Sequence, residues 1–110
     1  MTRRKADLLQ GTLDLLILKT LDLEPLHGWA ISKRISSLSD EVLTVGQGSL
    51  YPALHRLRDR GLIKSKWEIS EGDQRVRVYR LTPAGREALT EERDVFQLFV
   101  GAVERILETT

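Results

Sequence analysis

The stretch from residue 47 to residue 63, Gln-Gly-Ser-Leu-Tyr-Pro-Ala-Leu-His-Arg-Leu-Arg-Asp-Arg-Gly-Leu-Ile, constrains the fold of this chain most strongly. Its apolar residues are three or four positions apart: Leu50, Ala53, Leu54 and Leu57. This spacing predicts an amphipathic helix over 47–60. Gly61 follows the last polar turn, where a helix C-cap favours a residue that tolerates positive φ. The opposite face is rich in arginine, and a short helix of this kind fits the major groove of DNA.

The start of this helix leaves two alternatives open. Either a glycine of the segment 46–49 or Ser49 can act as the N-cap. Pro52 belongs within the first turns, because its missing N–H costs little there. If the helix begins nearer Gln47, Pro52 must bend it slightly.

The residues after this helix predict a β-hairpin. Apolar and polar residues alternate over 62–70 and again over 75–81, and the Glu-Gly-Asp-Gln run between them is typical of a turn. Upstream, the sequence predicts helices over 8–23 and 29–37. Three helices, of which the third is amphipathic and basic, describe a helix-turn-helix, and a hairpin placed directly after it is a wing.

A last helix is predicted from Thr82, a good N-cap followed by Pro83 at the first helical position, to about Leu107. Its apolar arc, like the two apolar stripes of the first helix, is wider than one small domain covers, so we expect a second subunit to cover both helices. The predicted dimer contacts are Leu9, Leu13, Leu16, Phe96, Phe99, Val103 and Ile106. The predicted fold is therefore mainly α with a small β-hairpin: a winged helix-turn-helix domain over 1–81 and a dimerisation helix over 82–110.

The charge of the chain is unevenly distributed, although its net value is only +1. Residues 47–86 contain nine Lys or Arg and four Asp or Glu, a balance of +5. Residues 87–110 contain two basic and six acidic residues, a balance of −4, and residues 1–46 are balanced. This pattern indicates an anionic partner at the middle of the chain, although the same charges can equally be solvated surface.

Other functional classes find little support in the sequence. The chain has no cysteine, no Gly-rich phosphate loop and no paired carboxylates in a matched setting, and its two histidines fall on different helices. We therefore expect no enzymatic activity, no cofactor and no metal site. No apolar run approaches the roughly 20 residues of a membrane span, and a signal peptide is not indicated, so we expect a cytoplasmic protein with no membrane partner.

Several segments in a fixed order together resemble the PadR family of winged-helix transcriptional regulators, in the compact form with a single C-terminal helix. The matching residues are 10–18 (Gln-Gly-Thr-Leu-Asp-Leu-Leu-Ile-Leu), 27–29 (His-Gly-Trp), 48–54 (Gly-Ser-Leu-Tyr-Pro-Ala-Leu), Leu57, 61–63 (Gly-Leu-Ile) and 79–86 (Tyr-Arg-Leu-Thr-Pro-Ala-Gly-Arg). The Leu-Tyr-Pro start of the third helix favours PadR over MarR-type regulators, which share the Leu-Thr-Pro-x-Gly run.

The resemblance implies a homodimer held by the first and last helices, with one recognition helix per subunit in successive major grooves of double-stranded operator DNA. It also implies repression of nearby genes, relieved by a small hydrophobic or phenolic effector. A cavity between the subunits, lined by the first and last helices, could hold such a molecule. Two alternatives remain: a protein-interaction module and a DNA-binding protein without sequence specificity.

The candidate DNA contacts lie on the recognition helix and at the wing: Gln47, Ser49, Tyr51, Pro52, His55, Arg56, Arg75 and Arg77. Several have a plain structural alternative. Ser49 can be only a cap, Tyr51 can pack between helix and wing, and His55 can be an exposed residue without a function. For Arg58 and Arg60 we favour a solvated face or an ion pair with Asp59.

For two further sets of residues, the basic N-terminus and three aromatic side chains, we expect a structural role and no function in binding. At the N-terminus, the basic residues of segment 3–5 could touch a DNA backbone, but a frayed end is the simpler reading. His27 and Trp29 are expected to pack at the start of the second helix, and Trp67 is expected to be half-buried.

Overall fold

The computed structural model describes the backbone of residues 3–110 and the side chains of residues 8, 9 and 11–110. Its elements follow in the order α1 (Arg3–Leu23), β1 (Leu26–His27), α2 (Gly28–Leu38), α3 (Gln47–Asp59), β2 (Ile63–Ile69), β3 (Arg75–Leu81) and α4 (Pro83–Glu108). The predicted fold class is confirmed: the chain is mainly helical, with a helix-turn-helix followed by a wing of β2 and β3.

Two elements differ from the prediction. Helix α1 begins at Arg3 and not at Leu8, and the side chains of residues 3–5 lie outside the described part of the chain. The hairpin is also extended by a third strand, because β1 pairs antiparallel with β3 and gives the order β1-β3-β2. A strand of two residues is too short to show an alternating pattern, so the sequence could not reveal it.

Helix α1 runs through the centre of the molecule, against α2, α3, β3 and α4. Its middle is buried on several sides, with Ile17 and Leu18 fully enclosed. The width of its apolar surface therefore reflects burial within a single chain, and the prediction that a second subunit must cover both stripes is wrong for this part of the helix. The remaining core side chains come mainly from Ile31, Ile35, Val45, Leu50, Ala53, Leu54, Leu57, Leu62, Ile63, Tyr79 and Leu89.

A tight corner fixes the start of α4 against the connection between α3 and the wing. Gly61 has a φ of 75°, which confirms its predicted place at the end of α3. The Thr82 hydroxyl accepts a hydrogen bond from the Gly85 amide at 3.0 Å and donates one to the Gly61 carbonyl at 2.7 Å, so Thr82 caps α4 as predicted. A Cβ on Gly85 would lie 2.0 Å from the Leu62 carbonyl oxygen, so only glycine permits this approach.

Beyond this corner α4 leaves the core. Gly85 and Leu89 are the only residues of this 26-residue helix that are buried, and both lie in its first two turns. The molecule is accordingly elongated, with dimensions of 59 × 30 × 20 Å. Within residues 3–110, no helix combines the length and the hydropathy needed to cross a membrane.

Candidate nucleic-acid interface

The N-terminus of α3 is exposed and carries no side-chain cap. Gly46 is the N-cap, and its carbonyl accepts from the Ser49 and Leu50 amides at 3.2 and 3.0 Å. Ser49 is therefore not the cap, which leaves its hydroxyl available to a partner outside the chain. Gln47 and Ser49 are both exposed. Amide donors of a first helical turn, together with the helix dipole, attract an anion such as a phosphate.

Pro52 lies inside α3, at its sixth residue and on the exposed surface. The helix thus begins at Gln47, and Pro52 removes one backbone donor from its interior. The carbonyl of Gly48, which would accept that hydrogen bond, is left without its helical partner. The first turn and a half of α3 therefore offers unpaired donors and an acceptor at the surface.

Tyr51 connects α3 with the start of α2 and with the sheet. A Cβ on Gly28 would lie 2.7 Å from the Tyr51 hydroxyl and 3.0 Å from its ring, so the phenol rests directly on this glycine. Burial raises the pKa of the neighbouring Tyr79 phenol, Arg77 lowers it, Tyr51 raises it and Arg58 lowers it. Two phenols and two guanidinium groups therefore share the junction between α3 and the wing. Tyr51 is still 37% exposed, so packing occupies only part of its ring.

His55 and Arg58 form a pair on the exposed side of α3. The Arg58 Nη2 lies 3.0 Å from the His55 Nδ1. A guanidinium can only donate, so the His55 Nδ1 is the acceptor in this arrangement. Arg58 bonds to His55 and forms no ion pair with Asp59, so the second part of the structural alternative predicted for Arg58 is wrong.

Arg56 lies apart from the other candidate residues of α3. Its Nη2 forms an ion pair with the Asp14 Oδ1 of α1 at 3.2 Å. Its side chain borders the groove between α1 and α4 and does not join the junction of α3 with the wing. To reach DNA, Arg56 would have to leave this carboxylate.

Arg75 and Arg77 share one face of the wing with Trp67. In the register of β2 and β3, Trp67 is opposite Arg77, and Ile69 is opposite Arg75. The Cζ atoms of Arg75 and Arg77 lie 4.8 and 5.2 Å from the centre of the Trp67 ring. Among the described side chains neither arginine forms an ion pair, and the buried Nε of Arg77 has no hydrogen-bond partner. We call this surface, formed by Tyr51, Arg58, Trp67, Arg75 and Arg77, the wing surface.

Trp67 was missed as a functional residue by sequence reasoning, which predicted only that it is half-buried. The signal was present, because residues of one strand that are two positions apart share a face and those opposite them in a hairpin do too. A register deduced from the turn would have placed Trp67 beside both arginines. On the other face Arg80 pairs with Glu68 at 2.9 Å, so that arginine is already engaged.

The second exposed region is the groove between α1 and α4, a depression of about 1000 Å³ with a mainly apolar lining. We call it the α1–α4 groove. Its lining residues are Leu8, Leu9, Gly11, Thr12, Asp14, Leu15, Leu43, Arg56, Glu91, Glu92, Val95, Phe96, Phe99, Val100, Val103 and Glu104. Burial raises the pKa of the Glu92 carboxyl, Asp14 raises it further, and Arg60 opposes the shift. The groove thus has mainly apolar walls, and its lining also includes four carboxylates and the guanidinium of Arg56.

The predicted dimer contacts fall into two groups in the structure. Leu9 and Leu13 are 6% and 1% exposed within the single chain, and Leu16 packs against the same core. The α4 residues are more open: Phe96 39%, Phe99 67%, Val103 36% and Ile106 73% exposed. Leu8, at the start of the apolar arc of α1 that was predicted to join the dimer, is 75% exposed and lines the groove. The exposed apolar surface that a second subunit could cover is therefore formed mainly by α4 and Leu8, whereas Leu13 is enclosed within its own chain.

Comparison with known proteins connects this arrangement to a family. The family model described as the transcriptional regulator PadR-like family matches residues 17–91. The transcriptional regulator Rv3488 of Mycobacterium tuberculosis is 54% identical over 56 residues, and this match spans 51% of the chain and only about half (51%) of that relative.

Solved structures extend the similarity along the chain. A transcriptional regulator from Clostridium thermocellum has a TM-score of 0.84 and 29% identity, covering 93% of this chain and 99% of that one. PadR of Bacillus subtilis, solved in complex with operator DNA, has a TM-score of 0.65 and 25% identity, covering 73% of this chain and 45% of that one.

Proposed function

This chain belongs to the PadR-like family of transcriptional regulators, and on that premise we propose that it is a sequence-specific DNA-binding repressor that acts as a homodimer. The observation that carries the proposal is the wing surface together with the start of α3, whose N-cap Gly46 provides no side-chain hydrogen bond. There, Tyr51 of α3 and Arg77 of the wing both lie near the Tyr79 phenol, and among the described side chains neither Arg75 nor Arg77 forms an ion pair. As a regulator of chromosomal genes it would act in the cytoplasm.

In the proposed complex, the N-terminal half of α3 enters a major groove and the wing follows the flanking backbone. Gln47, Ser49 and Pro52 are exposed at the start of the helix, where they can approach base edges or a phosphate. Tyr51 and His55 lie on the side of α3 that turns toward the wing surface. The similarity to a PadR protein solved with operator DNA supports this placement.

Arg75 and Arg77 are proposed as phosphate contacts. Among the described side chains neither arginine pairs with a carboxylate, and a guanidinium matches the geometry of a phosphate with two parallel hydrogen bonds. For Arg56 we propose a smaller contribution to DNA binding, because its guanidinium is already paired with the Asp14 carboxylate. Its main role would be to tie the recognition helix to α1.

The homodimer is proposed from the exposed apolar residues of α4. Four apolar side chains of α4 are at least 67% exposed: Leu98, Phe99, Ile106 and Leu107. Contiguous exposed apolar patches of this kind mark surfaces that a partner covers. We propose that the chain divides at residues 81 and 82, with α4 as the dimerisation helix. The first two turns of α4 also pack on the core of the DNA-binding domain through Gly85 and Leu89, and the remainder would form the dimer.

A small hydrophobic or phenolic effector is proposed to relieve repression. The α1–α4 groove supports this, because it is apolar, of suitable size for a small molecule and open on the side that a second subunit would close. An effector placed there would touch both the dimer helix and the arginine that ties α3 to α1.

The test is binding of the purified protein to a fluorescent fragment of the DNA upstream of its own gene, with unrelated DNA in excess as competitor. We expect saturable binding that survives the competitor. Binding that the competitor removes would support the alternative of a DNA-binding protein without sequence specificity. No binding to either DNA would favour the interaction-module alternative, for which the exposed face of α4 is the supporting observation.

A further inference from the structure

The ring of Trp67 lies under the guanidinium groups of both Arg75 and Arg77. It does so on an exposed surface, where a large apolar ring is unfavourable. Trp67 is 53% exposed, yet it belongs to the outer half of the wing and adds nothing to the core. Its neighbours across the strand pair are Arg77 directly and Arg75 on the diagonal, and both Cζ atoms lie within the 6 Å range of a cation–π contact. A packing role in the core therefore does not explain this residue.

The way in which Trp67 holds the two arginines differs from an ion pair in one respect that matters for binding. An aromatic ring attracts the flat face of a guanidinium, while the N–H donors lie in the guanidinium plane and stay free. A carboxylate, in contrast, occupies those donors, as Glu68 does for Arg80 on the opposite face of the same wing. Trp67 can thus order two arginines without competing with a phosphate for them.

Ordering has a measurable benefit, because a free arginine side chain loses much rotamer freedom when it binds. Arg75 and Arg77 are two residues apart on β3, so their side chains leave the strand on the same face with a spacing of about 7 Å. Two like charges at that distance would otherwise tend to point away from each other. The contacts with the shared Trp67 ring hold both side chains together in the DNA-free protein.

We propose that Trp67 is a positioning residue for DNA binding, which holds Arg75 and Arg77 by their faces and presents their terminal Nη–H donors to the phosphate backbone. The inference rests on the proposed function, since it assigns how two of the proposed DNA contacts are prepared. It differs from a contact role for Trp67 itself, and the two can be separated experimentally.

The experiment compares Trp67→Leu, Trp67→Phe and Arg75→Ala/Arg77→Ala with the wild-type chain, by DNA affinity across a series of salt concentrations. Trp67→Leu should weaken binding by about five- to tenfold, as the loss of two exposed cation–π contacts implies. The slope of log affinity against log salt should stay the same, because both charges remain and still displace counterions. Trp67→Phe keeps a ring and should lose less than Trp67→Leu.

A double-mutant cycle then distinguishes positioning from contact. Trp67→Leu added to Arg75→Ala/Arg77→Ala should cause no further loss. An equal loss in both backgrounds would mean that Trp67 touches DNA itself, and this would overturn the inference. Wild-type affinity in Trp67→Leu would overturn it too, while leaving the proposed function intact. Failure of the wild-type chain to bind any DNA would overturn the proposed function and the inference with it.

A spectroscopic measurement tests the contact without DNA. The chain has two tryptophans, so Trp29→Phe leaves Trp67 as the only indole emitter. In that background, Arg75→Ala/Arg77→Ala should shift the emission, because both guanidinium groups leave the ring. An unchanged spectrum would show that the arginines do not rest on Trp67, and would overturn the inference even if Trp67→Leu binds DNA weakly.

Discussion

The wing surface and the α1–α4 groove each contain arginines of the basic middle segment, but they hold them in different ways. On the wing surface, Arg75 and Arg77 rest on an aromatic ring and meet no carboxylate among the described side chains. At the groove, Arg56 is paired with Asp14 at 3.2 Å. Arginines of one basic segment are therefore not equally available to DNA. The neighbour that each one meets decides whether its donors are free.

The two regions also differ in what surrounds the charge. The wing surface is small, polar and close to the free start of α3. The groove has apolar walls and continues along α4 into a row of exposed Phe, Val, Ile and Leu side chains. Removing charge from the wing surface should therefore weaken DNA binding, whereas adding charge beside the α1–α4 groove should weaken the association of subunits. The four predictions that follow use this difference, beginning with the largest expected effect.

Phe99→Glu should convert the proposed dimer to a monomer. Phe99 is 67% exposed in the single chain, and an unpaired carboxylate buried at an interface costs several kcal/mol, which weakens association on the order of a hundredfold or more. Analytical ultracentrifugation over a concentration series measures the change. Gln97→Glu adds the same charge on the polar side of α4 and should leave the dimer unchanged. A Phe99→Glu chain that stays dimeric would place this residue outside the interface.

Arg75→Ala/Arg77→Ala should weaken DNA binding by about 10- to 100-fold near 0.1 M salt, because two charge-assisted hydrogen bonds to phosphate are lost. The slope of log affinity against log salt should fall by about 2. Fluorescence anisotropy with a DNA fragment measures both quantities. Arg93→Ala, which removes one charge from the exposed part of α4, is the control. An unchanged slope in the double variant would exclude these arginines as phosphate contacts.

Arg56→Ala should cost less DNA affinity than Arg77→Ala and should lower the stability of the fold by at most about 1 kcal/mol. The side chains of Arg56 and Asp14 are 50% and 29% exposed, so solvent screens most of their attraction. Chemical denaturation and DNA titration of the same samples give the two quantities. Asp14→Asn is the matched variant, because it frees Arg56 without removing it. If Arg56→Ala proved as damaging to DNA binding as Arg77→Ala, the groove would not be the place where Arg56 acts.

Glu92→Gln should raise the free energy of unfolding by a few tenths of a kcal/mol at neutral pH. Burial, and then Asp14, raise the pKa of Glu92, so the native state holds the proton of this carboxyl more tightly than the unfolded chain does. The stabilisation due to protonated Glu92 is complete below the unfolded pKa and is lost as pH rises through the higher native pKa.

The advantage of Glu92→Gln should therefore shrink as pH falls from neutral toward about 4, where glutamate normally titrates. Thermal unfolding at several pH values checks this, with Glu87→Gln, on the exposed surface of α4, as the control. A stability difference that is independent of pH would separate the effect from the charge of Glu92.

The sequence was sufficient for the elements whose signals are local. The apolar spacing of Leu50, Leu54 and Leu57 gave α3, and Thr82 with Pro83 gave the start of α4. It was insufficient where a partner comes from far along the chain. The two-residue strand β1 forms because it pairs with β3, about fifty residues later in the chain. Its own two residues carry no pattern that predicts a strand.

The candidate site shows the same limit. Sequence alone selected Arg56, Arg75 and Arg77 as equivalent candidates, and it read the apolar stripes of α1 as a sign of a second subunit. Folding brings Asp14 to Arg56 across 42 residues and buries Leu13 under elements of its own chain. Neither contact has a local signature, because both depend on how α1 packs against α3 and α4.

By itself, then, the sequence determined the helical and hairpin elements, the basic segment that bears the recognition helix and the wing, and the family to which the chain belongs. Periodicity and capping act over a few residues, so they are legible in the order of amino acids. Only the tertiary structure decided which arginines keep their donors free and which apolar side chains stay exposed. Charge neutralisation and burial are set by neighbours in space, and the fold alone brings Trp67 to Arg77 and Asp14 to Arg56.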